Sequence, residues 1–110
     1  MATFERLFMP IQVGPLRLVN RIVRTPMHSN LAGVNGEVSQ QLLDMYENSA
    51  KHGVGLIIVE AAEVDGRHWA HNALRIDHEK LEPGLRRLVE IIRDNNVPVV
   101  IRYRYGSVTD

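Results

Sequence analysis

The spacing of hydrophobic and polar positions changes several times along the chain. Between residues 10 and 20 they alternate: Ile11, Val13, Leu16 and Leu18 are apolar, Gln12 and Arg17 polar, with Gly14-Pro15 in the middle. Two period-2 runs flanking turn residues predict a short β-hairpin. Ile22-Val23 then begins a strand that runs into Thr25-Pro26. Proline lacks an amide hydrogen and holds the preceding residue extended, so the strand is expected to end near Pro26. Ser29 to Glu37, with Asn30, Gly33, Asn35 and Gly36, reads as a loop.

From Ser39 to about His52 the spacing is helical. Leu42, Leu43, Met45, Tyr46 and Ala50 form an apolar stripe, Ser39 is placed to cap the start, and Gly53 follows the end. Val54 to Val59 is almost continuously apolar and ends in Glu60, the mark of a strand buried on both faces. Residues 61–77, containing Asp65-Gly66, read as a long loop. A second helix is expected from about Glu79 to Asn95, with Leu81, Leu85, Leu88, Val89 and Ile92 on one face. Pro83 fits it only in the first turn. A last apolar run, Val97 to Ile101, carries Pro98 near its first position, where a missing donor costs least.

Strands alternating with helices predict parallel βαβ units and an α/β fold. The long connections follow strands and the short ones follow helices. That asymmetry suits a (β/α) barrel or a doubly wound sheet, with ligands at the carboxyl ends of the strands. A closed eight-fold barrel needs roughly 250 residues, and this chain has 110. The expectation is one domain, 1–110, holding a hairpin, three strands and two helices of an incomplete barrel.

Composition narrows the function classes. The chain is 45% hydrophobic and 24% charged, with 13 basic and 13 acidic side chains, so a folded core is expected and disorder is not. Charge balance argues against nucleic acid or an anionic membrane as partner. The absence of cysteine excludes disulfides, a thiol nucleophile and a cysteine-ligated zinc or iron–sulfur cluster in this chain. The first residues form no secretory signal, and no run approaches the roughly 20 apolar residues of a membrane helix. A soluble, cytoplasmic protein is the expectation.

The residues themselves go further. The opening LFMPIQVGPLRLVNRIVRTPMH carries Leu7-Phe8, Pro10-Ile11, Gly14, Asn20-Arg21-Ile22 and Pro26-Met27, and the middle reads YENSAKHGVGLIIVEAAEVDGR. Together these resemble the start of the Old Yellow Enzyme superfamily, the FMN-dependent NAD(P)H:flavin oxidoreductases, from Leu7 to about Ile101. Met27-His28 leans toward the branch that includes 2,4-dienoyl-CoA reductase and trimethylamine dehydrogenase. The resemblance implies the first three strands and two helices of a TIM (β/α)8 barrel, the N-terminal portion of an oxidoreductase. It also implies hydride transfer from NAD(P)H through FMN to an activated alkene or similar small-molecule acceptor.

By the same resemblance FMN lies at the carboxyl mouth of the barrel. The strand-1 Pro-Met turn that contacts it maps to Thr25, Pro26 and Met27, with His28 next to them, and the alanine after the strand-2 glutamate maps to Ala61. The third strand departs from the family pattern. Arg102 stands where members carry a glutamine for the flavin pyrimidine edge, and Tyr105 stands near a usual histidine. Arginine only donates, so it favours an anionic reduced flavin and cannot reproduce the amide's donor–acceptor pair. The family's substrate-activating and proton-donating residues belong to later strands, so no catalytic residue is assigned here.

Other features have plainer readings. Glu60 suits acid–base work, but a strand-end carboxylate is more often paired, with Arg21 or Arg24 as the expected partner. His28 faces flavin or substrate, or is a half-exposed loop residue. His68 and His71 flank Trp69-Ala70 without an obvious third ligand, so a solvated loop is expected and no metal is assigned. Arg102-Tyr103-Arg104-Tyr105 alternates cation and aromatic as single-strand binders do, yet four residues in a neutral chain favour a substituted flavin strand. Open strand edges raise a rival reading: a non-catalytic fragment that associates with its own copies or with further barrel segments. A small flavodoxin-like sheet is the third.

Overall fold

The computed structural model describes residues 3–67 and 71–105. Strands β1 (Ile11–Val13) and β2 (Leu16–Leu18) form the hairpin, Ile11 opposite Leu18 and Val13 opposite Leu16. β3 (Val23–Arg24) is short, stopping before Thr25-Pro26 as proline requires. Its entry is fixed by Asn20, 8% exposed. The Asn20 amide donates to the Gly53 carbonyl at 2.6 Å and its oxygen accepts from the Ile22 amide at 3.0 Å. A Cβ at Gly55 would stand 2.5 Å from the Asn20 carbonyl oxygen, so this crossing of backbones needs glycine.

Helix α1 (Gln40–Lys51) starts where expected, the Ser39 hydroxyl accepting from the Leu42 amide at 3.1 Å. It ends before Gly53, whose φ of +92° is a conformation side chains disfavour. β4 (Leu56–Glu63) follows, then β5 (Leu74–Arg75), one 3-10 turn (Glu79–Leu81), α2 (Glu82–Arg93) and β6 (Val99–Arg104). Pro83 lies in the first turn of α2. Asn96, at φ 61°, turns the chain out of the helix toward β6.

β4 is the centre of a four-stranded, all-parallel sheet. Ile57 pairs with both Arg24 of β3 and Val99 of β6, and Ala62 pairs with both Leu74 of β5 and Tyr103 of β6. β3 and β5 therefore share one edge of β4, and β6 runs along the other. Both helices cover one face, burying Leu42, Tyr46, Ala50, Leu88 and Ile92 against Ile57, Val59, Ala62 and Leu74. The sheet does not close: among the described residues β3 and β6 each keep an edge without a strand. Among them, no helix is long and apolar enough to cross a membrane.

Three boundaries differ from expectation. β4 runs on to Glu63, so Ala61 lies within the strand; alanine and glutamate are poor strand formers, and pairing with β6 overrides them. The segment read as a loop contains β5, a two-residue strand too short to leave a periodic signal. β6 begins at Val99 because Pro98 has no amide to give the ladder, and it extends through Arg104. α2 likewise starts at Glu82, after the separate 3-10 turn, and stops at Arg93.

The β4–β6 ladder slips by one residue. Val59 pairs with Ile101 and Ala62 with Tyr103, so Glu60 and Ala61 together stand opposite Arg102 alone. This is a β-bulge, a device that re-aims side chains.

Candidate functional site

At the carboxyl ends of the strands lies a cavity of about 290 Å3 lined by Pro26 and His28 after β3, Ala61 in β4, Ala73 before β5, and Arg102 and Arg104 in β6. A larger cleft, about 490 Å3, opens at the other end, between Leu16 of the hairpin and the entry to β6 at Val97–Val99. Ligands of α/β sheets sit at the carboxyl ends, and only the smaller space gathers polar and charged groups from three strands.

Two arginines set its electrostatics. Arg104 Nε donates to Oε1 of Glu63, a fully buried carboxylate, while Glu63 Oε2 has no hydrogen-bond partner among the described residues. The charge of Arg104 is thereby largely taken up. Arg102, two residues earlier, is exposed and makes no hydrogen bond or ion pair among the described residues. It is the uncommitted cation of the cavity. Ala73 is held by its neighbour Arg75, whose amide donates to the Gly36 carbonyl at 3.0 Å and whose guanidinium reaches the Asn35 carbonyl at 3.3 Å. Hydrogen bonds from Arg75 keep the Asp77 carboxyl below its usual range.

Behind the wall sits Glu60, 0% exposed. Its Oε2 accepts from the Ser29 hydroxyl at 3.1 Å and the Ser29 amide at 3.3 Å, and its Oε1 accepts from the Tyr46 hydroxyl at 3.1 Å. The Tyr46 hydroxyl in turn accepts from the Glu60 amide at 2.9 Å. His28 Nδ1 is 4.0 Å from Oε2, while His28 Nε2 lies 2.8 Å from Asn30 Oδ1. The expected pairing of Glu60 with Arg21 or Arg24 is not what forms. Arg24 lies over the face of the Tyr46 ring, 5.2 Å from its centre, and donates to Ser49 Oγ at 3.2 Å. The aromatic ring thus separates the two charges. Burial, with the adjacent Glu60 charge, pushes the Tyr46 hydroxyl up to about 12.

The structure therefore brings Pro26, Ala61 and Arg102 to one cavity, together with His28. Thr25 and Met27 are exposed, Met27 at 63%, and do not line it. His68, Trp69 and Ala70 lie outside the described residues; His71 is exposed. Of the Arg-Tyr alternation, Arg102 and Arg104 line the cavity while Tyr103 and Tyr105 are exposed. Sequence reasoning missed the polar role of Tyr46, which counted as one more apolar position. A buried tyrosine hydroxyl needs a partner, and that was the available signal.

The donor set fits part of a flavin. Proline and alanine walls admit a flat ring at close range, and the Arg102 guanidinium matches the carbonyl oxygens of a pyrimidine edge. A cavity of about 290 Å3 is small beside the roughly 300–1,000 Å3 of complete ligand sites. These strands would supply one wall of the cofactor's site and leave the remainder to other segments.

Known proteins agree in fold and in sequence. The chain is 38% identical over 110 residues to an NADH oxidase of Thermoanaerobacter brockii, covering 97% of this chain and 17% of that protein. It is 37% identical over 109 residues to a metal reductase of Desulforamulus reducens, covering 94% and 16%. It thus spans about a sixth of the length of these curated relatives. Among solved structures, Old Yellow Enzyme from Pichia sp. superimposes with a TM-score of 0.84 at 23% identity, over 89% of this chain and 26% of that one. A 2-naphthoyl-CoA reductase complex gives 0.88 at 20% identity, over 92% and 16%. The family model described as NADH:flavin oxidoreductase / NADH oxidase matches residues 6–109, and the chain belongs to that oxidoreductase family.

Proposed function

We propose that this chain forms the first wall of an FMN site, in a protein that passes hydride from NAD(P)H to an activated alkene or similar small-molecule acceptor. One observation carries the reading: Pro26, Ala61 and Arg102, far apart in sequence, line a single cavity at the carboxyl ends of three parallel strands. When bound, FMN would supply the two-electron chemistry. The residues of this chain bind and orient. Pro26 and Ala61 give flat, close walls, Arg102 donates to the acceptor edge of the ring, and the Thr25–Met27 backbone borders the same rim. Activation of the acceptor and protonation belong to segments beyond these strands.

The unpaired edges of β3 and β6, with Val23 and Val100 exposed at 38% and 42%, are where further barrel strands or a second copy would add. A monodisperse monomer in light scattering would remove the second-copy version.

The test is an FMN titration of the full chain followed by absorption and fluorescence, with Ala61→Leu beside it. The expected result is saturable binding by the native chain, weakened at least tenfold by the leucine that fills the cavity. A native chain that leaves FMN free in solution would overturn the proposal. Equal binding by both would move the cofactor away from this cavity.

A further inference from the structure

The Glu60 network touches both walls of the cavity at once. At the bulge, Glu60 and Ala61 share one partner on β6, and such an extra residue is left out of the ladder. A buried amide without a partner is costly. The Glu60 amide finds its acceptor in the Tyr46 hydroxyl at 2.9 Å, so a side chain of α1 completes what the ladder omits. The next residue is Ala61, in one wall. The same tyrosine donates to Glu60 Oε1, and Oε2 accepts twice from Ser29, which directly follows His28 in the other wall.

Three hydrogens point at the Glu60 side chain, two from Ser29 and one from Tyr46. A carboxylate, which only accepts, satisfies all three; a carboxamide brings hydrogens of its own into the same space. Burying a carboxylate is expensive, and an apolar residue would serve β4 better as packing. The arrangement suits a group that must be held at both ends.

We infer that Glu60 and Tyr46 are positioning residues for the cavity. One hydroxyl and one carboxylate tie Ser29, and with it Pro26–His28, to the bulge that presents Ala61, and so set the cavity's width. Neither residue lines the cavity; both act through Ser29 and Ala61. The identity of the ligand, FMN, rests on the proposed function, whereas the tie between the walls does not.

The experiment uses the full chain with Tyr46→Phe, Ser29→Ala and Ser29→Thr, and two readouts. The first, amide hydrogen exchange, needs no flavin. Tyr46→Phe keeps the ring and removes the hydroxyl, and is expected to speed exchange about tenfold at the Glu60 amide and also at Ser29, which Tyr46 does not touch. Unchanged exchange at Ser29 would overturn the tie. The second readout is FMN affinity with visible circular dichroism of the bound flavin. Tyr46→Phe and Ser29→Ala are each expected to weaken binding five- to tenfold and alter the dichroism, and the double variant to lose no more than the worse single one. Ser29→Thr restores the hydroxyl and should restore both signals. Additive losses, or native-like binding by the surface-loop variant Ser29→Ala, would also overturn the proposal. Coupled exchange in a chain that does not bind FMN would sink the FMN reading and leave the tie standing. FMN binding without coupled exchange would do the reverse.

Discussion

β4 and β6 look alike in sequence, each a run of Val and Ile closing on polar residues, yet they end in different surroundings. Every residue of β4 except Ile58 and Ala61 is buried. β6 leaves Val100 42% and Tyr103 70% exposed. The difference comes from neighbours. β4 has strands on both edges and two helices on one face, while β6 has one paired edge. An apolar run tells that a strand can be buried; its place in the sheet decides how far it is.

The sharpest way to break the comparison is to truncate both strands. Ile57→Ala, at a fully buried position of β4, is expected to cost about 2–5 kcal/mol in urea denaturation, a large share of a small domain's stability. Tyr46→Phe comes next. It leaves Glu60 Oε1 and the Glu60 amide unpaired, and about 1–3 kcal/mol should be lost by the same measurement.

Tyr46 also gives a pH signature. Its hydroxyl is held near 12 in the fold against 10.0 ordinarily, so between those values the unfolded chain has released a proton that the fold retains. Stability contributed by neutral Tyr46 is complete below pH 10 and is lost as pH rises toward 12, with a slope of about 1 kcal/mol per pH unit. Tyr46→Phe should remove that slope in alkaline denaturation. The smallest effect belongs to β6: Val100→Ala should cost less than about 1 kcal/mol. A loss there equal to that of Ile57→Ala would mean that both strands are equally enclosed in solution, as association across the open edge would produce.

The frame was legible where local chemistry agrees with the global fold. Ser39 capping α1, Gly53 ending it, Pro83 in the first turn of α2 and Pro26 closing β3 are each forced by one residue's own geometry. So were the hairpin and the parallel order. β5 and the tail of β4 were not legible, because Ala62 and Leu74 pair only once distant segments meet. The cavity was half visible: motif likeness pointed to Pro26, Ala61 and Arg102, whereas Arg104 and Ala73 reach it only through three-dimensional packing. Glu60 shows the limit most clearly. Its charge suggested an arginine partner, and the partners it has are two hydroxyls whose positions depend on a one-residue slip that no periodicity reveals.

That slip has a consequence for how the gene tolerates lost codons. Removing one residue from a buried strand normally sends every side chain beyond it to the wrong face. Loss of Ile58 would do so, exchanging Val59 for Glu60 at the helix-facing position. Ala61 is the exception within β4, since it is the supernumerary residue of the bulge. Without it, Ala62 would still meet Tyr103 and Glu63 would still meet Arg104. Glu60 would then fall into ordinary alternation, away from Tyr46. A chain lacking Ala61 should therefore keep its far-ultraviolet dichroism and lose its cavity, marking the one codon of this strand at which the scaffold and the site can be inherited separately.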